Sequence, residues 1–273
     1  MLTSIAATSS GPTQATGRDV EVVVVGSGTA VPHAERVGSA YFVRVGPSRV
    51  LLDCGPGVVH HLARFELQWQ EITHLCLSHF HTDHVGDVPA LLFALKYGQA
   101  EARTAPLTIL GPPGLRRFFR RLAAAFGDYI KDPGFLLDIV ELKPIKRIPL
   151  NDLATISAMP TPHTEASIAF RIDGPQVSLG YTGDTDQDVD LGSFLQSVDL
   201  LITECSLPDE LAMAGHMTPS RVAAFARVAL PKRLLLTHLY PQLPRGEVVD
   251  LVRAAGWDGD MLVADDGLKI SLQ

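Results

Sequence analysis

The sequence predicts an α/β fold in which two β-sheets pack face to face and helices cover their outer surfaces. Short apolar runs typical of strands occur in both halves of the chain, and helical patterns are interposed among them in each half. Hydrophobic residues make up 46% of the 273 residues, which is enough for a sizeable core. No linker-like segment follows Arg18. We therefore expect a single domain over residues 19–273, behind a flexible tail of residues 1–18 that is rich in Ser, Thr, Ala and Gly.

Predicted strands in the first half are β-branched or aliphatic runs that end at glycine, proline or another turn residue. Two of them flank Gly46-Pro47-Ser48, a turn sequence that predicts a hairpin. Helices are predicted where apolar residues recur at helical spacing. The strands are Val20–Gly26, Ala40–Val45, Arg49–Asp53, His74–Leu77 and Leu107–Leu110, and the helices are Val58–Gln68, Val85–Tyr97 and a basic helix from about Gly114 to Phe126.

The second half begins with strands and returns to alternating strands and helices after Tyr181. Asp173-Gly174-Pro175 predicts the turn of a hairpin. The last two strands are expected to form another hairpin. In order, the segments are strands Phe135–Leu142, Leu153–Met159, Ala166–Ile172, Gln176–Tyr181 and Leu200–Glu204, helix Pro219–Ala229, strand Leu234–His238, helix Gly246–Ala255, and strands Leu262–Ala264 and Leu268–Leu272.

The basic helix contains the stretch Leu115-Arg-Arg-Phe-Phe-Arg-Arg121, in which four arginines surround Phe118 and Phe119. We expect the phenylalanines to face the core and the arginines to be solvated, which is the commoner arrangement of such a stretch. Contact between these arginines and phosphate groups is the alternative.

Charge and cysteine content restrict the partners of the chain. The formal net charge of −7 argues against a long nucleic acid, because phosphate neutralisation dominates that affinity, but it allows a small phosphorylated substrate at bound metal ions. The three cysteines are an odd, widely spaced set, which predicts reduced thiols and a cytoplasmic location. We expect no membrane partner, since no apolar run approaches the ~20 residues of a spanning helix, and the first residues lack the regions of a signal peptide.

Three imidazoles and a carboxylate are concentrated in His79-Phe-His81-Thr-Asp83-His84, directly after a predicted strand. Histidine is a common ligand of transition metals, and a carboxylate adds charge neutralisation. On an irregular turn, His79 and His81 can point to one side while Asp83 and His84 point to another. One loop can therefore supply ligands to two metal ions.

Three later residues fit the same purpose, and each stands at or just after the end of a predicted strand. They are His163 in Thr161-Pro-His-Thr164, Asp184 in Tyr181-Thr-Gly-Asp184, and His238. Singly, each has an ordinary explanation as a turn, surface or capping residue. With the loop, they complete two sets of three ligands and one bridging residue. Strand ends are also where α/β folds hold ligands.

The HxHxDH loop, the isolated His163, the Gly-Asp pair after a hairpin and the histidine at a late strand end resemble the metallo-β-lactamase superfamily. The resemblance covers almost the whole chain after the tail. Gly26-Ser-Gly28-Thr-Ala-Val-Pro32, Arg36, Ser39 and Asp53-Cys-Gly-Pro-Gly57 are similar to its tRNA 3′-processing endonuclease (tRNase Z) branch.

This resemblance implies a four-layer αββα sandwich, the metallo-β-lactamase fold. It implies that one metal ion is held by His79, His81 and His163, the other by Asp83, His84 and His238, and that Asp184 bridges the two.

Substitutions typical of two other branches are absent. A β-lactamase of this fold commonly has Cys where Asp184 stands, and the flavodiiron oxidoreductases have Glu where His81 stands. The donor set of nitrogen and oxygen atoms favours two divalent ions, Zn²⁺ first, with Mn²⁺ or iron as alternatives.

Two metal ions roughly 3.5–4 Å apart can supply a bridging hydroxide near neutral pH and clamp a phosphoryl group, but a leaving alkoxide still needs a proton. In the tRNase Z branch, a Glu and a His followed by x-Thr serve this step, and Glu204 and His216-Met-Thr218 match that pattern. The resemblance thus implies catalytic roles for His216 and Glu204, with the ligand Asp83 counted among the catalytic residues. Alternatively, Thr218 caps a helix and His216 is an exposed loop residue. Asp53 is a weaker candidate for orienting a ligand histidine.

Only a short hairpin, Ala166–Tyr181, separates His163 from Asp184, whereas the tRNase Z branch carries a tRNA-gripping arm in that interval. The compact spacing resembles small cyclic phosphodiesterases, so we expect a small or cyclic nucleotide phosphodiester as substrate. Cleavage at the 3′ end of tRNA stays open, as do a lactonase, a thioesterase, an aryl sulfatase and a non-catalytic protein of cofactor biosynthesis. Relatives are often dimers, so a homodimer is compatible with the resemblance, although no feature of the sequence indicates it.

Overall fold

The computed structural model describes residues 20–273, so the expected tail, residues 1–18, lies outside the described residues. In the described part, fourteen strands form two seven-stranded sheets, and seven α-helices accompany them. The strands are β1 (Val20–Gly26), β2 (Ala40–Val45), β3 (Ser48–Leu52), β4 (His74–Cys76), β5 (Leu107–Gly111), β6 (Leu137–Glu141), β7 (Ile148–Asn151), β8 (Ala154–Pro160), β9 (Ile168–Asp173), β10 (Ser178–Tyr181), β11 (Leu200–Glu204), β12 (Arg233–Thr237), β13 (Asp260–Val263) and β14 (Lys269–Leu272). The helices are α1 (Val58–Arg64), α2 (Thr82–Val85), α3 (Val88–Tyr97), α4 (Leu115–Phe126), α5 (Val189–Phe194), α6 (Pro219–Ala229) and α7 (Val248–Ala254), with short 3₁₀ turns at Trp69–Glu71, Asp128–Ile130 and Asp209–Leu211.

The two sheets have matching organisation. The first has the strand order β14-β1-β2-β3-β4-β5-β6, antiparallel from β14 to β3 and parallel from β3 to β6. The second has the order β13-β12-β11-β10-β9-β8-β7, parallel from β13 to β10 and antiparallel from β10 to β7. Each sheet therefore joins an antiparallel half, whose strands short turns can connect, to a parallel half that needs longer crossovers.

Alternation along the strands separates the apolar side chains into layers. In β1, Val20, Val22 and Val24 lie in the layer between the two sheets, whereas Val23 and Val25 face the helices outside the first sheet. A strand that is buried on both faces needs apolar residues at successive positions, which explains the nearly continuous valine run.

Helices cover the outer face of each sheet. Apolar side chains of α1, α3 and α4 pack on the first sheet, and those of α5, α6 and α7 pack on the second. This arrangement confirms the predicted four-layer αββα sandwich. None of the helices within residues 20–273 combines the length and apolar character needed to cross a bilayer.

Several predicted elements differ from the structure. The helix predicted over Val85–Tyr97 begins later, as α3 at Val88, and the short helix α2, which was not predicted, precedes it with Gly86 and Asp87 between the two. Pro89 lies in the first turn of α3, where backbone N–H groups have no partner within the helix. Proline has no N–H and is therefore favourable at the beginning of a helix. The predicted helix Val58–Gln68 already ends at Arg64, and β7 and α5 have no counterpart among the predicted elements.

The predicted hairpin at the end of the chain is wrong. β13 pairs in parallel with β12 in the second sheet, whereas β14 pairs antiparallel with β1 in the first sheet. The turn between them therefore crosses from one sheet to the other. Local pattern could not reveal this, because two short apolar runs around an Asp-Gly turn look the same whether they pair with each other or with distant strands.

We predict that Phe170→Ala lowers the free energy of unfolding by about 3–5 kcal/mol, because Phe170 is 1% exposed between the sheets and its removal leaves a cavity there. Urea denaturation followed by circular dichroism measures the change. Phe126→Ala is the matched control, since Phe126 is 54% exposed and should tolerate the change. Equal losses for the two variants would mean that the layer between the sheets does not hold them together.

Candidate metal centre

Residues at the ends of strands from both sheets meet at one edge of the sandwich. The first sheet contributes the loop after β4, with His79, His81, Asp83 and His84. The second sheet contributes the predicted ligands that follow its strands, together with the pair singled out for proton transfer. These are His163 after β8, Asp184 after β10, Glu204 at the end of β11, His216 in the following loop and His238 after β12.

One group of possible ligands contains four side chains. Donor atoms of His79, His81, His163 and Asp184 all lie within 4.8 Å of one another. His163 Nε2 is 3.0 Å from His81 Nδ1, and both His79 Nε2 and His163 Nε2 are 3.8 Å from Asp184 Oδ2. These are the three histidines that the sequence assigned to one metal, together with the predicted bridging carboxylate.

The other predicted ligand set lies on the opposite oxygen of that carboxylate. Donor atoms of Asp83, His84 and His238 lie within 4.8 Å of one another, with His238 Nε2 3.2 Å from Asp83 Oδ2. Asp184 Oδ1 is 3.2 Å from His84 Nε2 and 3.7 Å from His238 Nε2. Each oxygen of Asp184 therefore faces one ligand set, as a bridging carboxylate requires.

The donor atoms at the centre fit a pair of divalent cations. His79 Nε2, His84 Nε2 and Asp184 Oδ1 are buried and make no hydrogen bond, although the last two are 3.2 Å apart. Leaving buried polar atoms unpaired costs about 1–3 kcal/mol each, so three of them grouped around the Asp184 carboxylate indicate that the site binds positive charge. Imidazole nitrogen and carboxylate oxygen together suit divalent transition metals.

The protonation states of His79 and Asp83 suit metal binding. Burial lowers the pKa of His79 to about 2, and neighbouring imidazoles add to the effect. Burial alone would raise the pKa of Asp83, but its hydrogen bond to His238 and the charges of the adjacent histidines outweigh burial and lower that pKa to about 2. A neutral imidazole and an ionised carboxylate are the forms that coordinate metals.

Asp53 contacts His84, one of the predicted ligands, as expected for a residue that orients a ligand histidine. Its Oδ2 atom lies 2.7 Å from His84 Nδ1 and accepts hydrogen bonds from Ser78 Oγ and from the Tyr181 hydroxyl, while Oδ1 accepts from Ser78 N at 2.7 Å. Asp53 is fully buried. A carboxylate on Nδ1 fixes the tautomer that leaves Nε2 free as a ligand.

Other ligand rings are held in the same way. Ser78 Oγ lies 3.0 Å from His79 Nδ1, Gly215 O lies 2.8 Å from His163 Nδ1, and Ser206 Oγ lies 3.1 Å from His238 Nδ1. In each case the occupied nitrogen leaves the other one directed at the centre, so the ring orientations are set before any metal binds.

Unusual backbone conformations bring these side chains to the centre. Asp53 and His238 have φ angles of 58° and 56°, in the left-handed region that non-glycine residues seldom adopt. Gly183, just before Asp184, has a φ of 57°, and a Cβ there would lie 2.7 Å from Ser78 Cβ. Strain of this kind concentrates at functional sites.

Glu204 and His216 form a contact beside the second ligand set. His216 Nδ1 is 3.1 Å from both carboxylate oxygens, and Glu204 also accepts hydrogen bonds from Thr185 N at 2.6 Å, Met217 N at 3.2 Å and Ser206 Oγ. Burial alone would lower the pKa of His216, but the hydrogen bond and charge of Glu204 outweigh burial and raise it. The imidazole therefore keeps its proton more readily than an ordinary histidine.

His216 is also close enough to the centre to act on a bound group. Its ring lies parallel to that of His238 with 6.1 Å between centroids, and its donor atom is within 4.8 Å of donors from His238 and Asp184. With Nδ1 committed to Glu204, Nε2 is the nitrogen left for substrate.

Sequence reasoning did not single out Asp266, whose buried carboxylate holds the loop between β1 and β2. Oδ1 accepts hydrogen bonds from Ser27 N at 2.8 Å and Ser27 Oγ at 2.7 Å, and Oδ2 accepts from Val37 N at 2.9 Å. That loop lines a cavity of about 390 Å³ that reaches Asp83, one of the predicted ligands. Asp266 lies 239 positions from Ser27, so its sequence context shows only an ordinary Asp-Gly turn.

Comparison with known proteins identifies the family. The family described as "Beta-lactamase superfamily domain" matches residues 48–239, which include all seven predicted ligands. The chain belongs to the β-lactamase superfamily. This confirms the resemblance inferred from the motifs, and it makes the protein a metal-dependent hydrolase. The assignment of individual ligands to each metal stays a prediction.

Relatives within the β-lactamase superfamily carry related names. A protein named Ribonuclease Z from Mycobacterium sp. (strain KMS) is 28% identical over 254 residues, covering 85% of this chain and 88% of the relative. The metallo-β-lactamase fold protein YhfI from Bacillus subtilis has 25% identity and a TM-score of 0.80, covering 93% and 99% of the two chains. The short form of human tRNase Z has 25% identity and a TM-score of 0.72, covering 92% and 98%.

We predict that Zn²⁺ at about 100 times its dissociation constant raises the free energy of unfolding of this superfamily member by about 2.7 kcal/mol for each ion bound, since the ion binds only the folded chain. Chemical denaturation with and without chelator measures the difference. His81→Ala should lose this increment, whereas the exposed His60→Ala should keep it. An undiminished increment in His81→Ala would remove that residue from the ligands.

We also predict that Asp53→Asn weakens metal affinity by about 10–100-fold, because His84 loses the charge that orients it. Competition with a calibrated chelator gives the affinity. Asp138→Asn, on the exposed edge of the first sheet, is the control and should bind normally. Unchanged affinity in Asp53→Asn would leave Asp53 with a purely structural role.

Proposed function

We propose that the protein is a metal-dependent phosphodiesterase that cleaves small or terminal phosphodiesters, with cyclic nucleotides as the leading candidates. The observation that carries the proposal is the Glu204–His216 contact beside a centre with two ligand sets. A phosphodiester with an alkoxide leaving group needs a proton donor, whereas an ester with a good leaving group needs one much less.

The ligand sets suggest how the metals are divided. His79, His81 and His163 would hold one Zn²⁺, Asp83, His84 and His238 the other, and Asp184 would link them. Two metal ions held by these residues would supply a nucleophile near neutral pH and would neutralise charge on the phosphoryl group. Zinc is our choice because the donors are nitrogen and oxygen only, with manganese and iron as alternatives.

Side chains of this protein would transfer the proton to the leaving group. Protonated His216 donates from Nε2 to the departing oxygen, and the new O–H bond replaces the phosphorus–oxygen bond that breaks. Glu204 holds Nδ1 and stabilises the imidazolium before the transfer. The neutral imidazole then takes a proton from solvent, which restores the starting state.

The segment between His163 and Asp184 supports a small substrate. It contains only β9 and β10, joined by a turn at Gly174, and these strands lie within the second sheet. We infer that no long arm is available in this interval to hold a folded RNA.

A second candidate is cleavage at the 3′ end of tRNA, which the Ribonuclease Z name of the relative favours. Lactonase, thioesterase and aryl sulfatase activities, or a non-catalytic role, remain weaker proposals because they leave the Glu204–His216 pair without use. We further propose one domain over residues 19–273 and a cytoplasmic location; a homodimer is compatible with the resemblance.

We predict that His216→Ala binds two zinc ions yet loses about 10²–10⁴-fold in kcat on 2′,3′-cyclic AMP, whose leaving alkoxide requires a proton. On bis(p-nitrophenyl) phosphate, whose leaving group departs without protonation, the loss should be far smaller. Bound zinc is quantified beside both rates, and His60→Ala serves as the control. Equal losses on the two substrates would place His216 outside proton transfer.

The same assays distinguish the two substrate classes. A higher kcat/KM for 2′,3′-cyclic AMP than for a tRNA precursor with a 3′ extension is expected from the short β9–β10 segment. The opposite order would favour the tRNA candidate. A zinc-loaded protein that hydrolyses no phosphodiester at all would refute the phosphodiesterase proposal.

A further inference from the structure

Helix α4 carries a concentrated positive charge on one face. Arg116, Arg117, Arg120 and Arg121 are all exposed, and Lys131 lies exposed just beyond the helix. We call these five residues the arginine surface. Between residues 20 and 273, no carboxylate oxygen lies within 4.0 Å of a guanidinium nitrogen of any of these four arginines.

Most of the other arginines that the structure describes have an acidic partner, although Arg36, Arg64, Arg103 and Arg227 also lack one. Eight other arginines in the described part form ion pairs with an Asp or Glu, although several of those arginines are just as exposed. In a chain of net charge −7, acidic partners are plentiful. The nearby Glu141 accepts hydrogen bonds from Gly114 N and Arg116 N, so its charge serves the helix N-terminus.

The arginine surface borders a concave site. A cavity of about 440 Å³ lies between α4, the 3₁₀ turn at Asp128–Ile130 and β6. Arg116, Arg120 and Lys131 line it, above an apolar floor that includes Leu137 and Ile139. Cations beside an apolar floor suit a ligand that combines phosphate groups with flat, weakly polar rings.

Aromatic packing connects this surface to the metal centre. Phe80, which stands between the ligands His79 and His81, stacks on Phe118 of α4 with 4.8 Å between ring centroids and 15° between planes. The first turn of α4 therefore lies against the metal-binding loop. A helix of 12 residues extends about 18 Å, so the arginine surface leads outward from that loop.

We propose that the arginine surface binds the sugar-phosphate backbone of a single-stranded RNA whose end enters the metal centre. The proposal rests on the phosphodiesterase function and, of the small and terminal phosphodiesters proposed above, selects the terminal phosphodiester of an unfolded RNA strand in place of a free cyclic nucleotide. Exposed cations that lack acidic partners gain most from phosphate, since each contact releases counterions. Because the β9–β10 segment is short, α4 is the element that would hold the RNA strand.

A membrane is a poorer partner for the same helix. The apolar face of α4, formed by Leu115, Phe119 and Ala123, is buried against the first sheet. Interfacial helices insert such a face into the acyl region, and here it is already occupied. The exposed side of α4 therefore offers charged side chains but no apolar face for a membrane. The position of these charges beside the metal-binding loop suits a substrate strand.

The test compares zinc-loaded wild type with the double variant Arg116→Gln/Arg120→Gln. Binding of a fluorescent 12-nucleotide 2′-O-methyl RNA is followed by anisotropy between 50 and 200 mM salt, and a gel checks that the RNA stays intact. Arg64→Gln/Arg253→Gln is the matched control, because both residues are exposed and lie on other helices. Glutamine keeps the helix propensity, so folding is preserved.

We expect the double variant to bind the RNA roughly tenfold more weakly at 50 mM salt, with a salt slope smaller by about 1.4, as the loss of two phosphate contacts on a single strand implies. The control variant should match wild type, and hydrolysis of bis(p-nitrophenyl) phosphate should be unchanged in both. Equal RNA affinity in both double variants would overturn the inference, as would binding of phosphatidylserine vesicles without RNA binding.

The two proposals fail separately. Intact bis(p-nitrophenyl) phosphate hydrolysis with an unaltered RNA affinity refutes only the arginine surface. Absence of hydrolysis by zinc-loaded wild type refutes the phosphodiesterase function on which the inference rests, whatever the RNA affinity.

Discussion

The carboxylate of Asp53 joins the two sheets at the edge where the metal centre lies. Asp53 follows β3 of the first sheet, and Tyr181 at the end of β10 in the second sheet donates its hydroxyl to it. Ser78 and His84, from the loop after β4, supply the remaining contacts. A buried carboxylate is tolerated only when its hydrogen bonds are made, so the packing of the sheets and the orientation of a ligand histidine depend on the same group.

The layered core explains why the functional residues gather at one edge. The space between the sheets is filled by apolar side chains from every second strand position, which leaves no place for charge inside the sandwich. Polar residues accumulate where the strands stop. The HxHxDH loop comes from the first sheet and His163, Asp184 and His238 come from the second. The ligand sets therefore exist only when both sheets are folded and docked, and metal affinity reports on the docking.

The sequence alone predicted the features that depend on neighbouring positions in the chain. The valine run of β1, the dense histidine loop and the strand ends before Asp184 and His238 could all be placed, because periodicity and turn residues are written into adjacent positions. The rest depends on partners far along the chain. No local pattern contains the crossing between β13 and β14 or the anchoring of Ser27 by Asp266. The same holds for the α4 guanidinium groups, which have no acidic partner within residues 20–273.

The crossing of the chain between β13 and β14 has a consequence for the order of folding. β1 is synthesised long before one of its two neighbours, β14, because Val20 pairs with Leu272. Until then β1 presents an unpaired apolar edge, which is the kind of surface that invites aggregation. The loop that lines the cavity beside Asp83 likewise lacks its hydrogen-bond acceptor until Asp266 has been synthesised. A nascent chain that already contains every predicted metal ligand would thus still lack the edge strand β14 of the first sheet and the hydrogen bonds that hold the loop beside Asp83.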